Sequence, residues 1–352
     1  MAPYLIALLL LFLGSFITKK KSIAYLGILF LFVLALFRDV SVGIDTINYV
    51  TYKPESEHRG LSSIQVVFYF VYGLLPILGS RTVIVFLTTI TFLFLVLSCK
   101  RFKISVAYAF FFFVLFDFYN LSLNIMRQYA AISVLLYAYS FIFEKTNKKY
   151  LFFVFLLLAS SLHTSSLFFA WVYFLRFIDL SSIKRPLLIV LVVGVFLLVE
   201  FYLKNNYLSY VSLLFENNSE ELASYQTSFD QAEALSGWSI GGMLIKIGML
   251  SINLFIFFDL VKYHDDRLVL VSSLFFASII VTMFFEQFFG NLGRLRYSLS
   301  IINIIAYSYY YVRSKSKYKF LLLMSVLAVY GYQYIWDLSK GSYGTTPYLW
   351  MF

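Results

Sequence analysis

Apolar stretches of membrane length recur along almost the whole chain, and they leave few folds open. Runs such as "LGILFLFVLALF" (26–37) and "TVIVFLTTITFLFLVL" (82–97) are continuous and carry no charge, the pattern of helices that span a bilayer. Hydrophobic residues make up 61% of the 352 positions and charged ones 13%, against about 25% charged in a soluble domain. The runs follow one another so closely that no separate soluble domain fits between them. One transmembrane domain over residues 1–352 is the expectation.

The same composition removes several function classes. A single cysteine, Cys99, permits no intrachain disulfide and no cysteine-ligated metal. His58, His163 and His264 lie far apart and match no metal-ligand spacing, so neither a metal site nor a cofactor is expected. The net charge of +10 is read as loop bias in a membrane protein, not as affinity for nucleic acid. The opening run "MAPYLIALLLLFLGSFI" does not read as a signal peptide, because its basic cluster follows the apolar core.

Topology comes from the basic residues. Clusters at Lys19–Lys21, Lys100–Lys103, Lys145–Lys149, Lys184–Arg185, Lys262–Arg267 and Arg313–Lys319 belong in cytoplasmic loops. Between each later pair of clusters lie two apolar stretches, which make an out-and-back hairpin. The interval from Lys21 to Lys100 holds three, an odd number that would place those clusters on opposite sides. The segment "LSSIQVVFYFVYGLLPILGS" (61–80), interrupted near Pro76, is therefore read as a re-entrant or interfacial helix on the outer side. Residues 150–179 are read as two short helices joined at His163. The expected fold is an all-α polytopic integral membrane protein of about twelve transmembrane helices. Both termini are then extracytoplasmic, with outer loops at about 38–61 and 204–239.

Polar residues in such a protein are costly and mark function by default. Arg38 ends the second apolar helix and opens "RDVSVGIDTINY", where Asp45 and Thr46 can brace a turn at Gly43 and Tyr49 follows. In "NIMRQ", Asn124, Arg127 and Gln128 stand at i, i+3, i+4, expected on one helix face, where a guanidinium between two amides suits an oxyanion. His163, in "SSLHTSS", is a candidate general base or a donor to phosphate. "GNLGRLRYS" brings Arg294, Arg296 and Tyr297 to another outer helix end; the two arginines point to different faces, so one is expected to enter a common site. Each also has a bland reading, as a loop cap, a structural ion pair or a turn residue. Their collection on one side is the functional signal: several arginines without a metal suit a diphosphate, whose leaving charge a permanent cation can hold.

Five patterns now stand in order: "R-x4-G-I-D-T-x2-Y" (Arg38 to Tyr49), "NIMRQYA" (124–130), "SSLHTSSL" (160–167), "GRLRY" (293–297) and "PY" (347–348). Together they resemble the EpsG family of bacterial exopolysaccharide proteins, within the broader Wzy-type polysaccharide polymerases. The resemblance implies a metal-independent, GT-C-like glycosyltransferase in the bacterial cytoplasmic membrane. It implies transfer of a growing glycan from polyprenyl diphosphate to the nonreducing end of a lipid-linked repeat, on the extracytoplasmic face. Donor and acceptor are both polyprenyl-diphosphate-linked oligosaccharides; a chain-length regulator and a flippase of the same pathway are the implied protein partners. Arg38, Asp45, Tyr49, Asn124, Arg127, His163, Arg294 and Tyr297 occupy the motif positions. On this view Arg38, Arg127, Arg294 and Arg296 serve the diphosphate, and His163 or Asp45 takes the acceptor proton. Tyr49, Asn124, Gln128 and Tyr297 contact substrate. Two rival readings are a lipid-linked oligosaccharide flippase, which should show internal repeats and midplane charges, and a related glycan ligase.

Overall fold

The computed structural model describes residues 1–51, 81–142, 147–177, 185–198, 240–263, 266–285, 293–342 and 344–350. The re-entrant segment expected at 61–80 and the loop at 204–239 lie outside the described residues, as do His58 and His264. Two compact units form, residues 1–176 with 304–352, and residues 177–303. Among the described residues both are helical, with no strand, and the chain is a multi-pass membrane protein.

In the first unit, α1 (Ala2–Phe12) runs through a π-helical stretch, Leu13–Ile17, into a tight return and α2 (Lys21–Phe37). Two small residues let the pair close: a Cβ on Gly14 would overlap the Ala24 main-chain nitrogen, and one on Gly27 would meet Leu11 at 3.1 Å. Where lipid tails are as apolar as leucine, such close backbone contact is what joins helices. Gly14→Leu is expected to cost about 1–3 kcal/mol by forcing α1 off α2. Gly194→Leu, with nothing within 4 Å of the same position, is the control. Equal thermal unfolding of the two variants in nanodiscs would refute this account of the hairpin.

A short helix α3 (Thr46–Thr51) precedes α4 (Thr82–Phe102), which ends at Lys103 in the left-handed conformation. Its last turn carries Lys100 and Arg101, cations that suit a helix C-terminus. Next come α5 (Val106–Leu115) and α6 (Phe118–Asn124), bent by 70° at a break where Asp117 has φ 61. After Ile125 the chain continues as α7 (Met126–Tyr139), which packs most extensively on α4 and on α8 (Tyr150–Leu162). The break expected at His163 is present. Beyond it the chain forms a 3-10 helix, Thr164–Phe177, whose Tyr173 ring lies 5.6 Å from Phe152 and 5.0 Å from Phe153, so the segment folds back along α8. At about 2.0 Å rise per residue a 3-10 helix is longer than an α-helix of the same residues, which suits a short return. The unit is completed by α13 (Ile302–Arg313), from Ile304 onward, and α14 (Lys319–Lys340).

The second unit holds α9 (Arg185–Leu197), α10 (Ile240–Leu260), α11 (Asp266–Phe285) and the short α12 (Tyr297–Ser300). Phe257 of α10 meets Phe276 of α11 at 5.0 Å. Ser278 of α11 hydrogen-bonds Asn303 at 2.8 Å.

Among the described residues α4, α11 and α14 are each long and apolar enough to cross a membrane, and the bent α5–α6 pair is either a broken fourth span or a re-entrant loop. Chain direction sorts the ends of the first unit. At one end Arg101 lies over Phe141, Tyr309 donates to the Phe102 carbonyl and Lys319 to that of Tyr311. Phe16 packs on Tyr311 at this end, so the clusters Lys19–Lys21, Lys100–Lys103 and Arg313–Lys319 share it. The opposite end collects the start of α1, the end of α2, the starts of α4 and α7, and the C-terminal segment.

Candidate functional site

The corner begins with a buried arginine. Arg38 follows the last residue of α2 and is completely enclosed. Its Nη1 donates to the Ala35 carbonyl at 2.7 Å; its Nη2 donates to the Leu123 carbonyl at 3.2 Å and Thr46 Oγ1 at 3.4 Å, and contacts Met126 Sδ at 3.1 Å. Nε has no partner. Among the described residues no carboxylate pairs with it. Its counter-charge is instead two helix C-termini: Ala35 lies in the last turn of α2 and Leu123 in that of α6, where carbonyls lack helical donors and the dipole is negative. Burial pulls the Arg38 pKa down to about 10, which still leaves a cation at neutral pH.

The loop after Arg38 is shaped around that cation. Gly43 takes φ +94 and donates its N–H to the Gly344 carbonyl at 2.8 Å. Ile44 N–H donates to Asn124 Oδ1 at 2.6 Å, while Asn124 Nδ2 reaches back to the Asn120 carbonyl at 3.2 Å. Thr46 Oγ1 closes the turn on the Val42 carbonyl at 2.7 Å. The C-terminal segment covers the corner from the other side. Asp39 N–H donates to the Leu349 carbonyl at 2.9 Å, and the Tyr348 hydroxyl to that of Leu34 at 2.8 Å. From α1 the Tyr4 hydroxyl donates to the Thr345 carbonyl at 2.8 Å, with the Tyr4 and Tyr348 rings edge-on at 5.7 Å. Segments more than 300 residues apart in sequence thus share one hydrogen-bonded corner.

A model of one protein family matches residues 21–350, from the start of α2 through this C-terminal segment. The chain belongs to the EpsG family. EpsG proteins are Wzy-type polysaccharide polymerases, so a glycan-polymerising membrane enzyme is the general activity. Neither a curated protein nor a solved structure matches the chain.

Three of the five sequence patterns that resemble the EpsG family meet at the corner: the one opened by Arg38, the "NIMRQ" segment and the terminal "PY". The expectation that Asn124, Arg127 and Gln128 share one helix face needs correction. Ile125 has ψ 56, so α6 stops at Asn124 and α7 starts at Met126. The break turns Asn124 to the Gly43–Ile44 turn, where both ends of its amide are engaged by main chain. Gln128 is buried, and Arg127 stands half-buried in the first turn of α7. A cation there opposes the helix dipole, which an anion would relieve. Asp45 and Tyr49 are partly exposed, one just before α3 and one within it.

The third pattern, "SSLHTSSL", lies at the end of α8. His163 is extended there, half-buried, with its Nδ1 2.7 Å from Ser165 Oγ. Because α8 returns along α7 after a short connection, its C-terminus falls at the end where α7 begins. The fourth motif belongs to the second unit. Arg294 is exposed, while Arg296 lies 5.0 Å over the Tyr297 ring and donates to its hydroxyl at 3.1 Å.

Two features escaped the sequence reading. Arg81, the residue before α4, donates Nη1 to the Arg38 carbonyl at 2.8 Å. An arginine where a capping Ser, Thr or Asp is favoured was the available signal. Asp117, at the α5–α6 break, accepts from Asn120 at 3.1 Å and lies beside Asp337 of α14. Only the left-handed turn brings these two carboxyls together, and sequence spacing does not reveal it.

Proposed function

We propose that this EpsG-family chain is an extracytoplasmic polymerase that moves a growing glycan from polyprenyl diphosphate to the nonreducing end of a lipid-linked repeat. The observation that carries the proposal is the assembly of three motif segments at the end of the first unit opposite its basic clusters. If positive residues face the cytoplasm, the corner faces outward. About twelve crossings and a GT-C-like arrangement in a bacterial cytoplasmic membrane accompany this reading.

The acceptor hydroxyl oxygen attacks the donor anomeric carbon. The bond from that carbon to the phosphate oxygen breaks, and its electron pair leaves with the polyprenyl diphosphate. Arg127 faces the developing charge; Arg294 and Arg296, in the second unit, are assigned to the diphosphate by the resemblance of the fourth motif alone. The acceptor proton passes to His163, whose ring is oriented through Nδ1 by Ser165, the base-and-orienter pattern of acyl and glycosyl transfer sites. Asp45 is the alternative acceptor of that proton. Tyr49 and Tyr297 offer faces for sugars, while Arg38, Asn124 and Gln128, being buried, position the corner.

The test is a ladder of lengthened glycans from purified protein and defined lipid-linked repeats, with neither nucleotide nor added metal. Arg127→Ala is expected to slow it at least about tenfold with unchanged thermal unfolding, the scale for loss of one electrostatic contact in the transition state. Repeat translocation in sealed vesicles without chain growth would replace this reading with the flippase.

A further inference from the structure

α4 starts in a way that stability alone does not favour. Its N-cap is Arg81, with no side-chain cap hydrogen bond, where an oxygen-bearing residue would satisfy the first amides. A guanidinium at that place also adds to the positive end of the dipole of a 21-residue helix. Behind it stands Arg38, fully enclosed and, among the described residues, without a carboxylate partner and with Nε unpartnered. Asp39 is close enough for its charge to be felt, yet its carboxylate accepts from Ser41 N–H at 2.9 Å and Ser41 Oγ at 2.7 Å. Those two bonds, more than Arg81, hold the Asp39 carboxyl below its usual range. Asp39 and Arg81 form no ion pair. Tyr348, the other titratable neighbour of both arginines, has its hydroxyl on the Leu34 carbonyl.

The corner therefore holds two guanidinium groups and a helix N-terminus, and the carboxylate of Asp39, whose charge Arg81 feels, is engaged by Ser41. Arg81 is half-exposed, and Nη1 on the Arg38 carbonyl fixes the plane of its guanidinium. That single bond is its only contact to an acceptor among the described residues, which leaves the rest of the fork able to meet two phosphate oxygens. We propose that Arg81 is a diphosphate-binding residue of this protein, oriented by the Arg38 main chain and reinforced by the α4 N-terminus. That the diphosphate is lipid-linked rests on the polymerase reading. A phospholipid headgroup or free pyrophosphate shares the chemistry, so the test separates all three.

Full-length protein in zwitterionic nanodiscs is titrated with farnesyl diphosphate, farnesyl monophosphate and inorganic pyrophosphate, and again in discs rich in phosphatidylglycerol. Farnesyl diphosphate should bind the wild type tightest and change little between disc types. Arg81→Ala should weaken it about 10- to 100-fold, and Arg81→Lys should restore only part, since an ammonium lacks the planar fork. Ligand-free thermal unfolding should stay at the wild-type value or rise, because like-charge repulsion is removed.

Equal farnesyl diphosphate affinity in wild type and Arg81→Ala would overturn the assignment and leave the polymerase reading intact. So would binding abolished in the anionic discs, which would make this a headgroup site, or equal affinity for inorganic pyrophosphate. An Arg81→Ala protein that melts lower in proportion to its lost affinity would make Arg81 structural and overturn the proposal. A wild type that binds no prenyl diphosphate and forms no glycan ladder would instead overturn the polymerase reading itself.

Discussion

Replacing Arg38 by alanine is expected to cost about 3 kcal/mol or more and to abolish polymerisation with the fold, because it empties a sealed site and strands its acceptors. The Ala35 carbonyl loses its side-chain donor at the end of a helix, the Leu123 carbonyl keeps only the Thr46 hydroxyl at 3.4 Å, and Thr46 itself loses a partner. Against this stands the relief of no longer burying a charge, which can exceed the loss when a buried ion pair is exchanged for apolar residues of equal volume. Alanine does not supply that volume, so the loss prevails. Lysine keeps the charge but cannot serve Ala35 and Leu123 through a fixed fork, and should recover under half of the stability. Thermal unfolding of the three proteins in nanodiscs reads this directly. Wild-type melting of Arg38→Ala, coupled to loss of farnesyl diphosphate binding, would return Arg38 to the ligand-contacting role its motif suggested. Arg81→Ala and Arg127→Ala give the opposite signature, activity lost with melting retained.

That contrast marks what the sequence could tell. Apolar runs and basic clusters made helical hairpins legible, because bilayer thickness and loop charge leave few arrangements; the pairing of Lys100–Lys103 with Arg313–Lys319 at one end is a consequence. The break at His163 was legible too, since a polar "SSLHTSS" interrupts two apolar runs. Which motif arginine is enclosed was not. Arg38 and Arg127 look alike as letters, and burial separates them: one is enclosed between two helix ends, the other half-open at a helix start. The break at Ile125 was hidden for a related reason. "NIMRQ" has no Gly or Pro, and only the demand of the Gly43–Ile44 turn for an acceptor gives Asn124 cause to leave the helix face. Arg81 reads in sequence as an ordinary outer helix end because its meaning depends on Arg38, 43 residues earlier.

The same demand sets the second large effect. Gly43→Val is expected to cost about 3 kcal/mol or more, beyond the 1–2 kcal/mol of holding an L-residue in a left-handed conformation. A Cβ on Gly43 would stand 2.7 Å from Thr46 Oγ1, 3.0 Å from the Leu123 carbonyl oxygen and 3.1 Å from Asn124 Oδ1. The Leu123 carbonyl belongs to main chain that also accepts from Arg38, so it cannot yield without disturbing the guanidinium. Gly341 provides the comparison. It too has positive φ, +65, but a Cβ there would meet nothing nearer than the Thr346 carbonyl oxygen at 3.5 Å. Gly341→Ala should therefore show the conformational cost alone, and Gly43→Ala that cost plus crowding. If the two alanine variants unfold at the same temperature, the crowding at the corner is not real. If Gly43→Ala melts lower, its glycan ladder should fail together with its fold. The turn it distorts is what holds the Arg38 segment on Asn124 and on Gly344, and a polymerase whose motif segments separate has no corner for Arg127 and Arg81 to face.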